Sequence, residues 1–201
     1  MLEKRRFKNI EYLISLPGNY RDGERYPVLF YTHGAGGRGR DLSLIEGDEV
    51  YSLNPCKDEF IIVMPQCFAD SWFDIFEQLE EFCAEIYGAA FTDRSRFYAT
   101  GVSMGGYACY QLMMSLPEYF AAAIVCCGGG MYWNAGRIKD IYVRAVHGKK
   151  DEVVFPEESA KMARAIGERA EFILIEDAGH DCWTKTYSSK ENYEWLLGKK
   201  K

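Results

Sequence analysis

The residues best suited to chemistry are Ser103 and the glycines around it, in the run Tyr98 to Gly106, YATGVSMGG. A short apolar run ends in Gly101-Val102-Ser103-Met104-Gly105 and passes into a helix-forming segment. The pattern G-x-S-x-G suits a tight strand-to-helix turn that exposes a serine hydroxyl on strained backbone. A side chain at Gly101 or Gly105 would meet backbone across such a turn, and Gly106 with Ala108 lets the helix lie close to a sheet. The competing reading is a glycine-rich turn that happens to contain serine, so the rest of the chain must decide.

A serine hydroxyl is a poor nucleophile near neutral pH and needs a base, usually a histidine oriented by a carboxylate. The chain has three histidines. His33 and His147 each precede a glycine at the end of an expected strand, where a histidine more often anchors a loop. His180 lies in the loop after the last expected strand, and only there does the order serine, acid, histidine leave room for an acid between. In an open parallel sheet the site lies beyond the carboxyl ends of the strands. Asp140 precedes the strand at Ile141 to Val146 and Asp151 follows it, which separates the two by roughly 20 Å at about 3.3 Å per residue. Asp151 is therefore the candidate acid, with Asp177 as runner-up and Asp181 as an outward neighbour of His180.

Attack on a carbonyl builds an oxyanion that two backbone N–H groups normally stabilise. One comes from the residue after the nucleophile, Met104. The other is expected from the loop His33-Gly34-Ala35-Gly36-Gly37, with Ala35 as the preferred donor and Gly36 beside it against the substrate. A merely flexible loop would not explain why the glycines fall there.

The elements that must position these groups can be read in order. Asn9 to Leu16 alternates partly and reads as a strand. Tyr26 to Thr32 and Phe60 to Met64 are apolar runs expected for buried parallel strands. Ser71 caps a helix from Trp72 to about Tyr87, whose apolar residues keep an i, i+3, i+4 spacing, and Asp74 completes a weak capping box. Arg96 to Thr100 feeds the serine turn and Met104 to Leu116 leaves it as a helix. Phe120 to Cys127, Ile141 to Val146 and Glu171 to Ile175 are further strands. Pro156 to Ile166 and Ser189 to Leu197 are helices. Strands alternating with helices imply an α/β fold, a mostly parallel doubly wound sheet with helices on both faces. No linker or repeat divides it, so residues 1–201 read as one domain.

Composition removes several function classes. A net charge of -6 with pI near 5.2 argues against a nucleic-acid partner. The basic stretches Glu3-Lys4-Arg5-Arg6 and Lys199-Lys200-Lys201 read as solvated termini. No run of apolar residues is long enough for a membrane span, and no apolar segment follows the basic start, so no secretory signal is expected. Seven cysteines without C-x-x-C spacing fit reduced thiols in a cytoplasmic protein. Three scattered histidines offer no metal-ligand cluster, so neither metal nor cofactor is expected.

The blocks LPGNYRDGERYPVLFYTHGAGGRG, PQCFADSWF, RFYATGVSMGGYA, HGKKDEVV and GHDCWTKTY resemble, in order, α/β-hydrolase fold serine esterases. The likeness is to the compact bacterial group that includes predicted peptidases, acetyl-xylan and feruloyl carbohydrate esterases, and phospholipase/carboxylesterase-like enzymes. It covers nearly the whole chain. It implies Ser103 as nucleophile, Asp151 as acid, His180 as base, and Ala35 with Met104 as oxyanion donors. The substrate would be a small-molecule or carbohydrate ester, with peptidase, thioesterase or silent binding protein as alternatives on the same scaffold. Trp72 matches an aromatic position beside the site in such enzymes, and equally suits the first core-facing residue of its helix. About a dozen residues join Gly128 to Asp140, too few for a substantial lid. The loop Met131-Tyr132-Trp133 is therefore expected to line an open site, or to form a contact in a homodimer if the protein is not a monomer.

Overall fold

The computed structural model describes residues 2–201. Eight strands form one sheet in the order β1-β2-β4-β3-β5-β6-β7-β8. They are β1 (Leu2–Phe7), β2 (Ile10–Ser15), β3 (Tyr26–Thr32), β4 (Ile61–Pro65), β5 (Thr92–Val102), β6 (Ala122–Cys126), β7 (Tyr142–Gly148) and β8 (Ala170–Ile175). β2 runs antiparallel to β1 and β4, and all other neighbours are parallel.

Strands buried on both faces explain the continuous apolar runs. In β3, Val28 and Phe30 point into one core while Leu29 and Tyr31 point into the other. The first core is closed by α2 (Phe76–Gly88), α3 (Met104–Ser115) and α4 (Glu157–Ile166), through residues such as Leu79, Phe82, Leu112 and Met162. The second is closed by α1 (Glu49–Ser52), α5 (Trp183–Ser188) and α6 (Lys190–Leu197), through Val50, Tyr187, Tyr193 and Leu196. Helices thus cover both faces, as expected from the alternation. The β6–β7 connection holds only a short 3-10 segment, Tyr132–Ile138, and inserts no lid.

Two expectations are corrected. The basic start is not a solvated tail: it is edge strand β1, paired from Leu2↔Ser15 to Phe7↔Ile10 across a turn at Lys8, whose φ is 50°. Its charged side chains leave no apolar alternation to read, and such charge on an edge discourages pairing with other chains. The helix from Trp72 is also interrupted. Trp72–Ile75 is a 3-10 turn, and the α-helix begins at Phe76 because Ile75, at φ −125° and ψ 24°, leaves helical backbone. The capping pair is present, with Asp74 Oδ2 accepting from the Ser71 N–H at 2.8 Å and the Ser71 hydroxyl at 2.9 Å.

Candidate active site

Ser103 sits between β5 and α3 with φ 53° and ψ −119°, backbone that a non-glycine residue holds only under constraint. The constraint is steric. A Cβ on Gly105 would lie 1.9 Å from the Thr32 carbonyl oxygen, and one on Gly101 would lie 2.4 Å from the Gly105 oxygen. The end of β3 therefore wedges against the turn, and the Thr32 hydroxyl donates to the Gly105 carbonyl at 2.7 Å. On the other side the Ser103 N–H donates to the Cys126 carbonyl at 3.0 Å, tying the turn to β6. Gly106 passes the backbone of Gly128 so closely that its Cβ would lie 2.9 Å from the Gly128 Cα. The helix thereby seats directly on the sheet.

Three of the expected residues converge. Ser103 Oγ lies 3.0 Å from His180 Nε2, and His180 Nδ1 lies 2.8 Å from Asp151 Oδ2. Asp151 comes from the turn after β7 and His180 from the loop after β8. These two loops are laced together: Lys149 N–H donates to the Ile175 carbonyl and Lys150 N–H to the Ala178 carbonyl, each at 2.9 Å. A side chain at Gly148 would lie 2.0 Å from the Gly179 oxygen, so only glycine lets the loops meet. Burial alone would raise the Asp151 carboxyl, but hydrogen bonds from His180 and from the N–H groups of Val153 and Val154 outweigh it and hold it below the usual carboxylate range. The alternatives fall away: Asp177 pairs with Lys185 in solvent, and Asp181 accepts from the Thr184 N–H and hydroxyl.

The loop from His33 to Gly37 lies against the serine, with the Gly34 Cβ position 3.7 Å from Ser103 Cβ. Ala35–Gly37 forms a 3-10 turn. Among the described residues no backbone acceptor takes the N–H of Ala35 or of Met104. The loop is held from beneath. His33 Nδ1–H donates to the Gly34 carbonyl at 2.6 Å and its Nε2 accepts the Cys67 N–H at 2.9 Å. Burial, with a smaller contribution from the charge of Arg38, lowers the His33 pKa to about 4 against the raising effect of the Gly34 bond. Gln66 donates to the Gly37 carbonyl, and Arg38 to those of Ala35 and Asp70.

Trp72 belongs to this support. It is 0% exposed, its Nε1–H donates to the His33 carbonyl at 3.0 Å, and it lines neither the cleft that holds Ser103 nor the separate one walled by Tyr107 and Trp133. Of the two roles open to it from the sequence, contact with substrate and packing in the core, Trp72 takes the second. The first cleft, about 580 Å³, holds Ser103 and His180 and is walled by Ala35, Gly36, Leu44, Asp48, Val153 and Trp183. A second, about 440 Å³, is walled by Phe73, Tyr107, Gln111, Met131, Tyr132 and Trp133. Tyr107 stands one turn along α3 from Ser103, and Trp133 is 73% exposed.

Sequence reasoning missed three polar neighbours, Cys127, Asp48 and Glu49, while His147 anchors a loop as expected. His147 shares Asp151 with His180. Cys127 places its Sγ within 4.8 Å of an Asp151 oxygen and a His180 nitrogen. Asp48 and Glu49 line the first cleft, and burial, with the charge of Glu49, lifts the Asp48 carboxyl to about 7 against the opposing Tyr31 hydroxyl. None of the three missed residues carried a sequence signal, whereas His147 was marked by its place before a glycine at a strand end.

No protein-family model matches the chain. The probable feruloyl esterase C of Aspergillus oryzae is 26% identical over 152 residues, which cover 72% of this chain and 56% of that protein. The chain therefore spans little more than half the length of this fungal relative. Among solved structures, a thermostable esterase superposes with a TM-score of 0.84 at 28% identity, over 100% of this chain and 63% of that one. A ferulic acid esterase superposes with a TM-score of 0.71 at 17% identity, over 96% of each chain. The chain has the α/β-hydrolase fold.

Proposed function

We propose that this chain hydrolyses carboxylic esters through an acyl-enzyme on Ser103. The observation that carries the reading is the unbroken line of hydrogen bonds from Ser103 Oγ through His180 to Asp151. In this reaction His180 Nε2 takes the Ser103 proton as Oγ attacks the ester carbonyl. The N–H groups of Ala35 and Met104 receive the oxyanion, and His180 returns the proton to the departing alkoxide. Water, deprotonated by the same nitrogen, then clears the acyl group. Asp151 keeps the proton of the neutral imidazole on Nδ1, leaving Nε2 free as base.

Substrate selection falls to the two clefts. Gly36 borders the first beside the oxyanion donors, and without a lid the esters accepted are small or protruding acyl groups on a larger alcohol. The Tyr132–Trp133 edge-to-face pair presents apolar faces in the second cleft, where an aromatic acyl group or a pyranose ring can stack. The esterases among the similar proteins support ester over amide as the bond cut.

Turnover of p-nitrophenyl acetate, p-nitrophenyl butyrate and methyl ferulate tests the reading, beside labelling with a fluorophosphonate. Ser103→Ala is expected to lose activity by at least roughly a thousandfold and to take no label. Equal turnover by the variant removes Ser103 from the reaction, and an unlabelled native protein points to a silent scaffold.

A further inference from the structure

His147, at the end of β7, is 0% exposed. Its Nε2 lies 3.1 Å from Asp151 Oδ2 and 2.8 Å from the Val154 carbonyl oxygen. Both are acceptors, so Nε2 carries a proton shared between them. Its Nδ1 lies 2.7 Å from Ser159 Oγ, which is also 2.7 Å from the Gly128 carbonyl oxygen, so the one hydroxyl proton goes to Nδ1 of a neutral ring or to Gly128 beside a doubly protonated one. The imidazole therefore ties the end of β6, the start of α4 and the Asp151 turn together. The oxygen it reaches is the same one that accepts from His180 at 2.8 Å. Asp151 Oδ1 is occupied separately by Val153 and Val154 N–H groups at 2.9 and 3.0 Å.

We propose that His147 is a positioning residue that tunes the base: by donating to the carboxylate oxygen that orients His180, it limits how strongly Asp151 favours a proton on His180. The inference rests on the reading of Ser103, His180 and Asp151 as the reacting set. A carboxylate oxygen that accepts two N–H donors spends its charge on both. With the His147 donor removed, the bond to His180 strengthens and the imidazolium becomes easier to form. His180 is then free as base only at higher pH. The direction is the same whether His147 holds one proton or two, because losing a nearby cation also favours protonation of His180. Cys127 just after β6, Tyr107 from α3 and Cys182 before α5 also face this group, and Glu158 from α4 stands behind Tyr107. A change at position 147 leaves these side chains in place, and of them Cys182 also feels the charge of His147.

The test compares His147→Leu, which has no donor, with His147→Gln, whose amide N–H can reach Asp151. The pH dependence of kcat/KM on p-nitrophenyl butyrate is the readout. In His147→Leu the acid limb is expected to move up by about half a pH unit or more, with kcat/KM near pH 6 falling severalfold beyond any loss at the alkaline plateau. His147→Gln is expected to keep the wild-type limb. A folded His147→Leu with an unmoved limb overturns the proposal, since a purely structural role lowers the plateau without displacing the limb. A second measurement needs no variant: nitrogen-15 spectra of the wild type are expected to show His147 protonated at Nε2 at pH 8, and an unprotonated Nε2 overturns it as well. Ser103→Ala separates the two readings. If that variant retains turnover the esterase reading fails, whereas an inactive Ser103→Ala beside an unmoved limb refutes only the role of His147.

Discussion

His33 makes the stability of this protein depend on pH in a way that can be worked from its surroundings. It is 1% exposed, its Nε2 accepts the Cys67 N–H, and its pKa stands at about 4 against 6.5 for a free side chain. A proton on Nε2 would abolish that bond and leave the Cys67 N–H facing another donor. Because the folded pKa lies below the unfolded one, the unfolded chain binds more protons between pH 6.5 and 4. Stability is therefore full above pH 6.5 and falls as pH drops toward 4. The shift of about 2.5 units corresponds to ~3 kcal/mol in total, of which ~2 kcal/mol is already lost at pH 5. His33→Gln isolates this contribution, because glutamine does not titrate. Urea unfolding of both proteins at pH 7.5, 6, 5 and 4.5 should show the wild type losing its advantage over the variant by that amount. A difference that stays constant over the range, or a His33 titration near 6.5 by NMR, refutes the reasoning. Activity should fall together with loop stability, since the Ala35 N–H is carried by the same turn.

Gly105→Ala places a methyl 1.9 Å from the Thr32 carbonyl oxygen, so the turn must retreat by about 1.5 Å to reach ordinary contact. The expected cost is ~1–3 kcal/mol in denaturant unfolding and about a hundredfold in kcat/KM; a variant with wild-type values refutes the steric account of the turn. Asp48, raised to about 7, binds its proton more tightly folded than unfolded, so it drains stability as pH climbs from about 4 to 7. Asp48→Asn should gain on the wild type over that range by ~1–3 kcal/mol after allowing for solvent screening, measured by thermal unfolding, and a flat difference refutes the shift. The same variant should take anionic esters more readily than the wild type at pH 8, because Asp48 and Glu49 line the Ser103 cleft. Unchanged kcat/KM for an anionic ester against its neutral analogue speaks against that.

Much of this site was legible because its determinants are local. The turn at Ser103 demands glycine at fixed offsets, and the parallel strands read as apolar runs because helices cover both of their faces. Asp151 could be chosen over Asp140 from the direction of one strand alone. The basic N-terminal stretch hides its strand for the converse reason: an edge strand exposed on both faces shows no alternation. Trp72 was ambiguous because an apolar residue opening a helix looks the same whether it faces a cleft or the core.

The amino-acid sequence by itself determined the alternating α/β architecture and the chain order of Ser103, Asp151 and His180, since strand periodicity, turn sterics and side-chain chemistry act over a few residues. Only the tertiary structure decided what those groups touch. His33, after β3, meets Cys67 and Trp72, after β4; Cys127, just after β6, comes near the Asp151–His180 pair; and His147 reaches the oxygen that His180 already holds. Such meetings depend on the register and twist of strands far apart in the chain, and a displacement of one residue in either strand would turn the same side chains to the opposite face.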